Sequence, residues 1–544
     1  MIGIIEHSML ITFQIVLFGS VFGVLLIRNQ GLSYFFIAII SVVSYAIAWL
    51  FSLDLLSWFL GVLIPVCLVG YGIYLVKHSS VVSDLNNNVR VTLLATGRRV
   101  KHITNINRGV GIFGASGAGK SESVIYQILK WCAQTKRPGI INDYKNYELT
   151  EIAYPLFLET GIPFHVFALH DVSRSVRINP INPAYIQTES EVNGLVKVLM
   201  LNLSGEVSDD TAMFFRGGAE SLMAGVIWRL REAYPQYCTL PHVLSILLNY
   251  ENLHLPRKPF GKLVNFLQED IRAAMLASTF LTGLGSEKQT ASLFATLAES
   301  LRTLVSPEVF YLLSGNDIDL EINKKDNQRL ISFVNHPGAQ ESIISAINAT
   351  IIATCMTRMA ERNRPDSFVL LDEAPTIKIN ELAKRIATLR SYCVAFIYCV
   401  QDKIQGVAQW GGKEYHIKQI LTNLSTQFFG KVNDPETAGY YEKFFEIIKK
   451  EQRSYSSRDG LLVSGDRRTT RSKKEEAKIR AFEFFKFVEG EFVMFTNGKD
   501  DHFRFHYEAP EKLMPPPVRL VTPTELQRHY YQILNETKDL FANY

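Results

Sequence analysis

The residues best suited to chemistry sit in the stretch GIFGASGAGKSES, residues 111–123, where Gly114, Gly119, Lys120 and Ser121 satisfy the spacing G-x-x-x-x-G-K-[ST]. Glycines at that spacing let backbone N–H groups converge on a polyphosphate at a helix N-terminus, with the lysine on the terminal phosphates and the hydroxyl on a divalent cation. We therefore expect Gly114, Ala115, Ser116, Gly117, Ala118, Gly119, Lys120, Ser121 and Glu122 to form a site for ATP, with Mg²⁺ held by Ser121. A second cluster lies far along the chain. Residues 367–373, SFVLLDE, give an apolar run ending in Asp372 and Glu373. At the end of a buried strand, Asp372 would complete the Mg²⁺ shell while Glu373 orients and polarises the attacking water. Gln401 follows another apolar run, where its amide could sense the γ-phosphate. Arg385 and Arg390 fall on a helical pattern after the acidic pair, and either could face a neighbouring subunit's nucleotide.

These residues need a scaffold that brings distant strand ends together. Apolar runs at 110–113, 139–142, 164–167, 329–334, 368–371, 394–398 and 427–432 alternate with helical patterns, which predicts a parallel sheet flanked by helices. Between about Tyr185 and Glu321 the strand signal fades, and 214–231 and 289–303 read as helices, so an all-α insertion is expected there. Strands return at 491–496 and 503–507, joined through Asn497-Gly498, a hairpin turn signal. Pro515, Pro516 and Pro517 should end the regular fold and leave a short helical tail. The expected parts are a membrane region at 1–78, a nucleotide-binding domain at 79–185 and 323–512, the helical insertion at 186–322 and a tail at 513–544.

Charge is distributed unevenly in these 544 residues. Residues 1–76 contain only Glu6, Arg28 and Asp54 among Asp, Glu, Lys and Arg. Within them 8–27, 33–51 and 55–76 are each long enough as helices to cross a hydrocarbon core of roughly 30 Å. Three transmembrane helices are expected, with a two-span arrangement as the alternative. Arg28 and Lys77 on the inner side put the remainder in the cytosol, where ATP is available. The six cysteines show no C-x-x-C or zinc-like spacing, which suits a reducing compartment, and Cys393 and Cys399 read as small core residues. A net charge of +4 is too small to argue nucleic-acid binding by itself. Residues 449–480 do hold eleven basic against five acidic side chains, a surface that could track phosphates, although a flexible solvated loop rich in Ser and Arg is the more ordinary reading.

The ordered set resembles a known family. Apolar spans, then GASGAGKS, Asp143 in GIINDYKNYEL, NPINP at 179–183, a helical stretch, LLDEAP, Gln401, TNLSTQFFGKVNDPETAGYYEKF from Thr422 and RSKKEEAKIRAFEFFKFVEGEFVMFTNG at 471–498 look like the type IV secretion coupling proteins of the VirD4/TraD/TraG kind. The resemblance covers about residues 100–510. It implies a RecA-like P-loop NTPase domain with an inserted all-α domain, preceded by N-terminal transmembrane helices. It further implies a multi-pass protein of the bacterial inner membrane, hexameric when active, that hands relaxase-bound single-stranded DNA or protein effectors to a type IV secretion channel. Carried onto this chain, it matches Lys120 and Ser121 to phosphate and Mg²⁺, Asp372 and Glu373 to the metal and catalytic carboxylates, Gln401 to a sensor and Arg390, eighteen residues past Asp372, to the trans-acting arginine.

Three features depart from that pattern, the first being that three expected spans exceed the family's common two. The family's second-strand motif reads close to Asp-Pro-Lys-Gly-Glu, whereas here Asp143-Tyr144-Lys145-Asn146 precedes Glu148, so a reshaped turn is expected and Lys145 is assigned no contact with nucleotide. The C-terminal tail is also short, which leaves recruitment to the helical insertion or an adaptor. An ABC-type transporter would need Leu-Ser-Gly-Gly-Gln ahead of its acidic strand, and Leu203-Ser204-Gly205-Glu206 continues differently. A translocase of the FtsK/HerA kind not tied to secretion, or a docking receptor for protein effectors alone, remains the alternative.

Overall fold

A computed structural model of the chain describes residues 89–205, 209–256, 258–338, 340–445, 447–456 and 468–544. The expected membrane spans lie outside these residues. Among the described residues one helix, Glu341–Met359, is long and apolar enough to cross a membrane, but it is mostly buried within the fold.

The strands are β1 (Val91–Ala95), β2 (Arg99–Ile103), β3 (Val110–Phe113), β4 (Gly139–Asp143), β5 (Phe164–Ala168), β6 (Leu330–Val334), β7 (Ser367–Leu371), β8 (Val394–Val400), β9 (Thr426–Phe429), β10 (Ile447–Ser456), β11 (Arg468–Ala477), β12 (Glu491–Thr496) and β13 (Lys499–Arg504). Nine of them form one sheet in the order β13-β12-β9-β3-β8-β7-β4-β6-β5. From β9 to β5 every pairing is parallel, and the β12–β13 hairpin adds an antiparallel edge. β3, β4, β6, β7 and β8 are buried along their whole length, as continuous apolar runs covered by helices on both faces must be.

This order positions the site. β3, β8, β7 and β4 are consecutive neighbours, so the segments after Phe113, Val400, Leu371 and Asp143 emerge side by side at the C-terminal edge. In open parallel sheets that edge is where ligands bind.

The chain between β5 and β6 is helical, with Glu189–Ser204, Asp210–Ala233, Leu240–Leu248 and Glu287–Leu301 as its longer elements. Glu189–Ser204 packs along Glu341–Met359 and so joins this helical part to the sheet. The tail helix, Pro523–Phe541, does not stand apart. It docks on the same part through buried Ile533, Thr537 and Phe541.

Several expectations need correction. The last strand is Lys499–Arg504 rather than 503–507. Asn497 and Gly498 both have positive φ, 50° and 73°, a two-residue turn that pairs Lys499 with Thr496 at once. β9 ends at Phe429 rather than 432, because Gly430 to Val432 leave the ladder to meet the loop after β3, where Ala115 N–H donates to Lys431 O at 2.8 Å. The β1–β2 hairpin was not expected: only Val91, Leu93 and Ala95 of β1 point inward and β2 is mostly polar. Part of the basic 449–480 segment is not a loop but the antiparallel ribbon β10–β11. Cys393 is exposed, closing a turn with φ of 58° just before β8, rather than lying in the core.

Candidate active site

The loop from Gly114 to Lys120 leaves β3 and is pinned at its start, with Gly114 N–H donating to Val400 O at 3.2 Å and Ala115 N–H to Lys431 O. Its crest, Ser116 and Gly117, is exposed. Gly117 and Gly119 take φ of 76° and 82°, a region disfavoured for other residues. At Gly114 a Cβ would meet the Ala118 Cβ at 2.9 Å, and at Gly119 it would meet Gly490 N at 2.8 Å. Gly490 N–H donates to Ala118 O at 3.0 Å, so the turn before β12 seats on the phosphate loop. A π-helical turn, Ser121–Ile125, then leads into the helix Tyr126–Gln134, with Ser121 buried at its start.

Lys120, at the end of this loop, is buried. Its Nζ donates to Gly114 O at 2.6 Å and lies 3.8 Å from Glu373 Oε1. Glu373 is 2% exposed and adopts φ of 42° and ψ of 51°, a left-handed backbone rare for such a residue. Strained backbone of this kind persists only where the surroundings over-determine it. Here the turn Ala374–Thr376 is closed by Thr376 N–H donating to Glu373 O at 2.8 Å. Gln401 Nε2 donates to Glu373 Oε1 at 2.9 Å. Asp372 is buried, its Oδ1 accepts no hydrogen bond, and its main-chain O accepts from Asn142 Nδ2 at 3.2 Å. Burial, then the adjacent Glu373 charge, push the Asp372 carboxyl up to about 7 against the opposing pull of Lys145 and Lys120.

Lys120, Ser121, Asp372, Glu373 and Gln401 thus end on neighbouring strand ends. Glu122 is placed differently, since its carboxylate accepts from Lys512 Nζ at 2.7 Å and Tyr507 Oη at 3.3 Å. Arg390 is not at this site. It precedes β8 and lines a cavity of about 140 Å³ with Asn107, Arg108, Asn423 and Ser425, at the opposite edge of the sheet. The seven residues of β8 separate the two edges by roughly 23 Å. Arg390 is exposed, whereas Arg385 is tied inward, donating to Thr357 Oγ1 at 2.9 Å and Asn380 O at 3.2 Å.

Sequence reading assigned no part here to Lys145, whose Nζ lies 3.8 Å from Glu373 Oε1, or to Lys431 and Gly490, whose backbone pins the loop. Lys145 is delivered by the turn after β4, where buried Asp143 accepts from Thr150 N–H, Thr150 Oγ1 and Lys145 N–H at 2.8, 2.6 and 3.1 Å. A carboxylate followed by a lysine two residues on was the available signal. The backbone contacts of Lys431 and Gly490 carry none.

A family model described as Type IV secretory system Conjugative DNA transfer matches residues 80–497. No curated protein matches the chain. Among solved structures, the chain is similar to the bacterial conjugative coupling protein TrwBdeltaN70 in its unbound monoclinic form, with a TM-score of 0.60, 14% identity and coverage of 79% of this chain and 91% of that one. Plasmid coupling protein TrwB in complex with the non-hydrolysable GTP analogue GDPNP gives 0.57, 14%, 75% and 88%. The same protein in complex with ADP and Mg²⁺ gives 0.55, 13%, 75% and 87%. At these identities the likeness is one of fold: a mixed sheet with its helices arranged as in TrwB.

Proposed function

The chain belongs to the type IV secretory system conjugative DNA transfer family, and from that premise we propose that it is a membrane-anchored ATPase driving substrate into a secretion or conjugation channel. The observation that carries the reading is the approach of Lys120 to Glu373, both buried, at 3.8 Å. A phosphate-loop lysine after β3 beside a carboxylate after β7, with only β8 between the two strands, brings a phosphate-binding group and a water-orienting group to one point, as nucleotide hydrolysis uses them.

In this mechanism the loop N–H groups and Lys120 bind the phosphates of ATP. TrwB, of similar fold, was solved with ADP and Mg²⁺ and with nucleotide analogues, which supports this choice of ligand. Ser121 and Asp372 would hold Mg²⁺, and the hard, unpartnered Oδ1 of Asp372 fits that role. When bound, Mg²⁺ offsets phosphate charge as bonds break. Glu373 orients the attacking water and accepts its proton, while Gln401 fixes the carboxylate through its 2.9 Å hydrogen bond. Arg390, out of reach of its own site, would complete that of the neighbouring subunit, so the active form is a ring, taken to be a hexamer.

The N-terminal apolar spans would anchor the ring in the bacterial inner membrane as a multi-pass protein with the motor in the cytoplasm. Cargo would be relaxase-bound single-stranded DNA or protein effectors, passed to type IV secretion channel components. The basic side chains of 449–480 would follow DNA phosphates. The test is the ATPase rate of the detergent-solubilised full-length protein with and without single-stranded DNA. Stimulation by DNA supports a conjugation motor, and indifference moves the reading to effector export. Absence of hydrolysis in assembled rings would reject it.

A further inference from the structure

Three groups converge on one atom of this site. Gln401 Nε2 lies 2.9 Å from Glu373 Oε1, and the ammoniums of Lys120 and Lys145 each lie 3.8 Å from it. Lys120 cannot serve that oxygen through the reaction, because a phosphate-loop lysine is drawn onto the phosphates when nucleotide enters. We propose that Lys145 is a positioning residue for Glu373, the cation that holds its carboxylate in place after Lys120 has turned to the nucleotide. The proposal rests on the ATPase reading above.

The backbone around Lys145 is built to hold it there. Lys145 N–H donates to buried Asp143 at 3.1 Å, and Lys145 O accepts from Glu148 N–H at 3.2 Å. The next two residues, Asn146 and Tyr147, have φ of 46° and 75°, and Asn146 N–H donates to Asn335 O at 3.1 Å. This tight turn places Lys145 toward β7 rather than away from it. Tyr144 Oη donates to Glu341 Oε1 at 2.9 Å, which ties the same turn to the start of Glu341–Met359.

Charge balance points the same way. Asp372 and Glu373 are adjacent and both buried. Once Lys120 is committed to phosphate, Lys145 is the cation left within 4 Å of Glu373 among the described residues. Lys145 also faces Asp372, on the same strand end, and Glu148 at 3.9 Å, which is partly exposed and so screened by water.

The experiment compares Lys145→Met, Lys145→Arg, Glu373→Gln and the double variant Lys145→Met/Glu373→Gln in the full-length assembled protein. It measures steady-state ATP hydrolysis and the affinity for mant-ATP. The expected result is that Lys145→Met lowers kcat 10- to 100-fold with mant-ATP affinity changed less than about 3-fold, that Lys145→Arg recovers most of the rate, and that the double variant is no slower than Glu373→Gln alone. The inference is overturned if Lys145→Met keeps its rate within 2-fold. It is equally overturned if mant-ATP affinity falls more than 10-fold, which would make Lys145 a phosphate ligand, or if Lys145→Arg is as slow as Lys145→Met. If Glu373→Gln itself hydrolyses normally, the ATPase reading fails first; if only Lys145→Met is normal, that reading stands and this one does not.

Discussion

Asn202 and Lys378 exchange two hydrogen bonds: the Asn202 amide donates to Lys378 O at 2.6 Å, and Lys378 N–H donates to Asn202 Oδ1 at 2.8 Å. Asn202 belongs to the helix Glu189–Ser204, and Lys378 stands six residues past Asp372. One side chain therefore ties the loop after β7 to the helical part between β5 and β6. Asn202→Ala would leave two backbone groups of Lys378 without these partners and should cost about 1–3 kcal/mol. Asn202→Asp should cost at least as much, because it keeps the acceptor but sets a carboxylate oxygen against the Lys378 and Val198 carbonyls in place of the donor. Chemical denaturation of the two variants checks the order, and an unchanged midpoint for Asn202→Ala would show the contact is idle.

Gly117 and Gly119 have nearly the same φ but different neighbours. A Cβ at Gly117 meets nothing within 4 Å, whereas one at Gly119 meets Gly490 N at 2.8 Å. Gly117→Ala should carry only the left-handed backbone penalty, about 1–2 kcal/mol. Gly119→Ala must also push the phosphate loop off the turn before β12, and should lose mant-ATP binding by at least tenfold. Equal affinities for the two variants would contradict this.

Arg385 and Arg390 separate by how they are held. Arg385→Ala removes donors to Thr357 and Asn380 and should destabilise the fold by about 1–3 kcal/mol. Arg390→Ala touches an exposed side chain and should leave the thermal midpoint unchanged, yet abolish most ATPase activity in assembled rings while leaving the slow rate of dilute monomers alone. Full activity in Arg390→Ala rings would remove the trans assignment.

The tail helix is held by more than its caps. Phe541 is fully buried with its ring 4.9 Å from Phe266, and Thr537 and Glu536 meet Ser245 and His242. Phe541→Ala should cost about 3–5 kcal/mol, read by denaturation of the full chain. A change below 1 kcal/mol would mean the helix is not docked in solution.

Much of the scaffold was legible because parallel strands buried on both faces leave unbroken apolar runs, as at Ile140-Ile141 and Phe368 to Leu371. The placement of the glycine-rich loop and the acidic pair at strand ends was legible because each directly follows an unbroken apolar run. Strand order was not legible, and without it nothing in the sequence brings Asp143 and Lys145 beside Asp372. The β1–β2 hairpin escaped because an edge element packs one face only, and half its pattern is solvent-facing polar residues. Docking of the tail was hidden for a similar reason. An amphipathic 19-residue helix looks the same whether it covers its own fold or a partner.

Whether Lys120 and Glu373 act on one nucleotide is decided by comparing mant-ATP binding with ATP hydrolysis in Glu373→Gln. Glutamine keeps the shape and the Gln401 contact but cannot take a proton. Affinity should stay within about 3-fold of the unmodified protein while hydrolysis falls at least 100-fold. Hydrolysis within a few fold of normal would contradict that joint action.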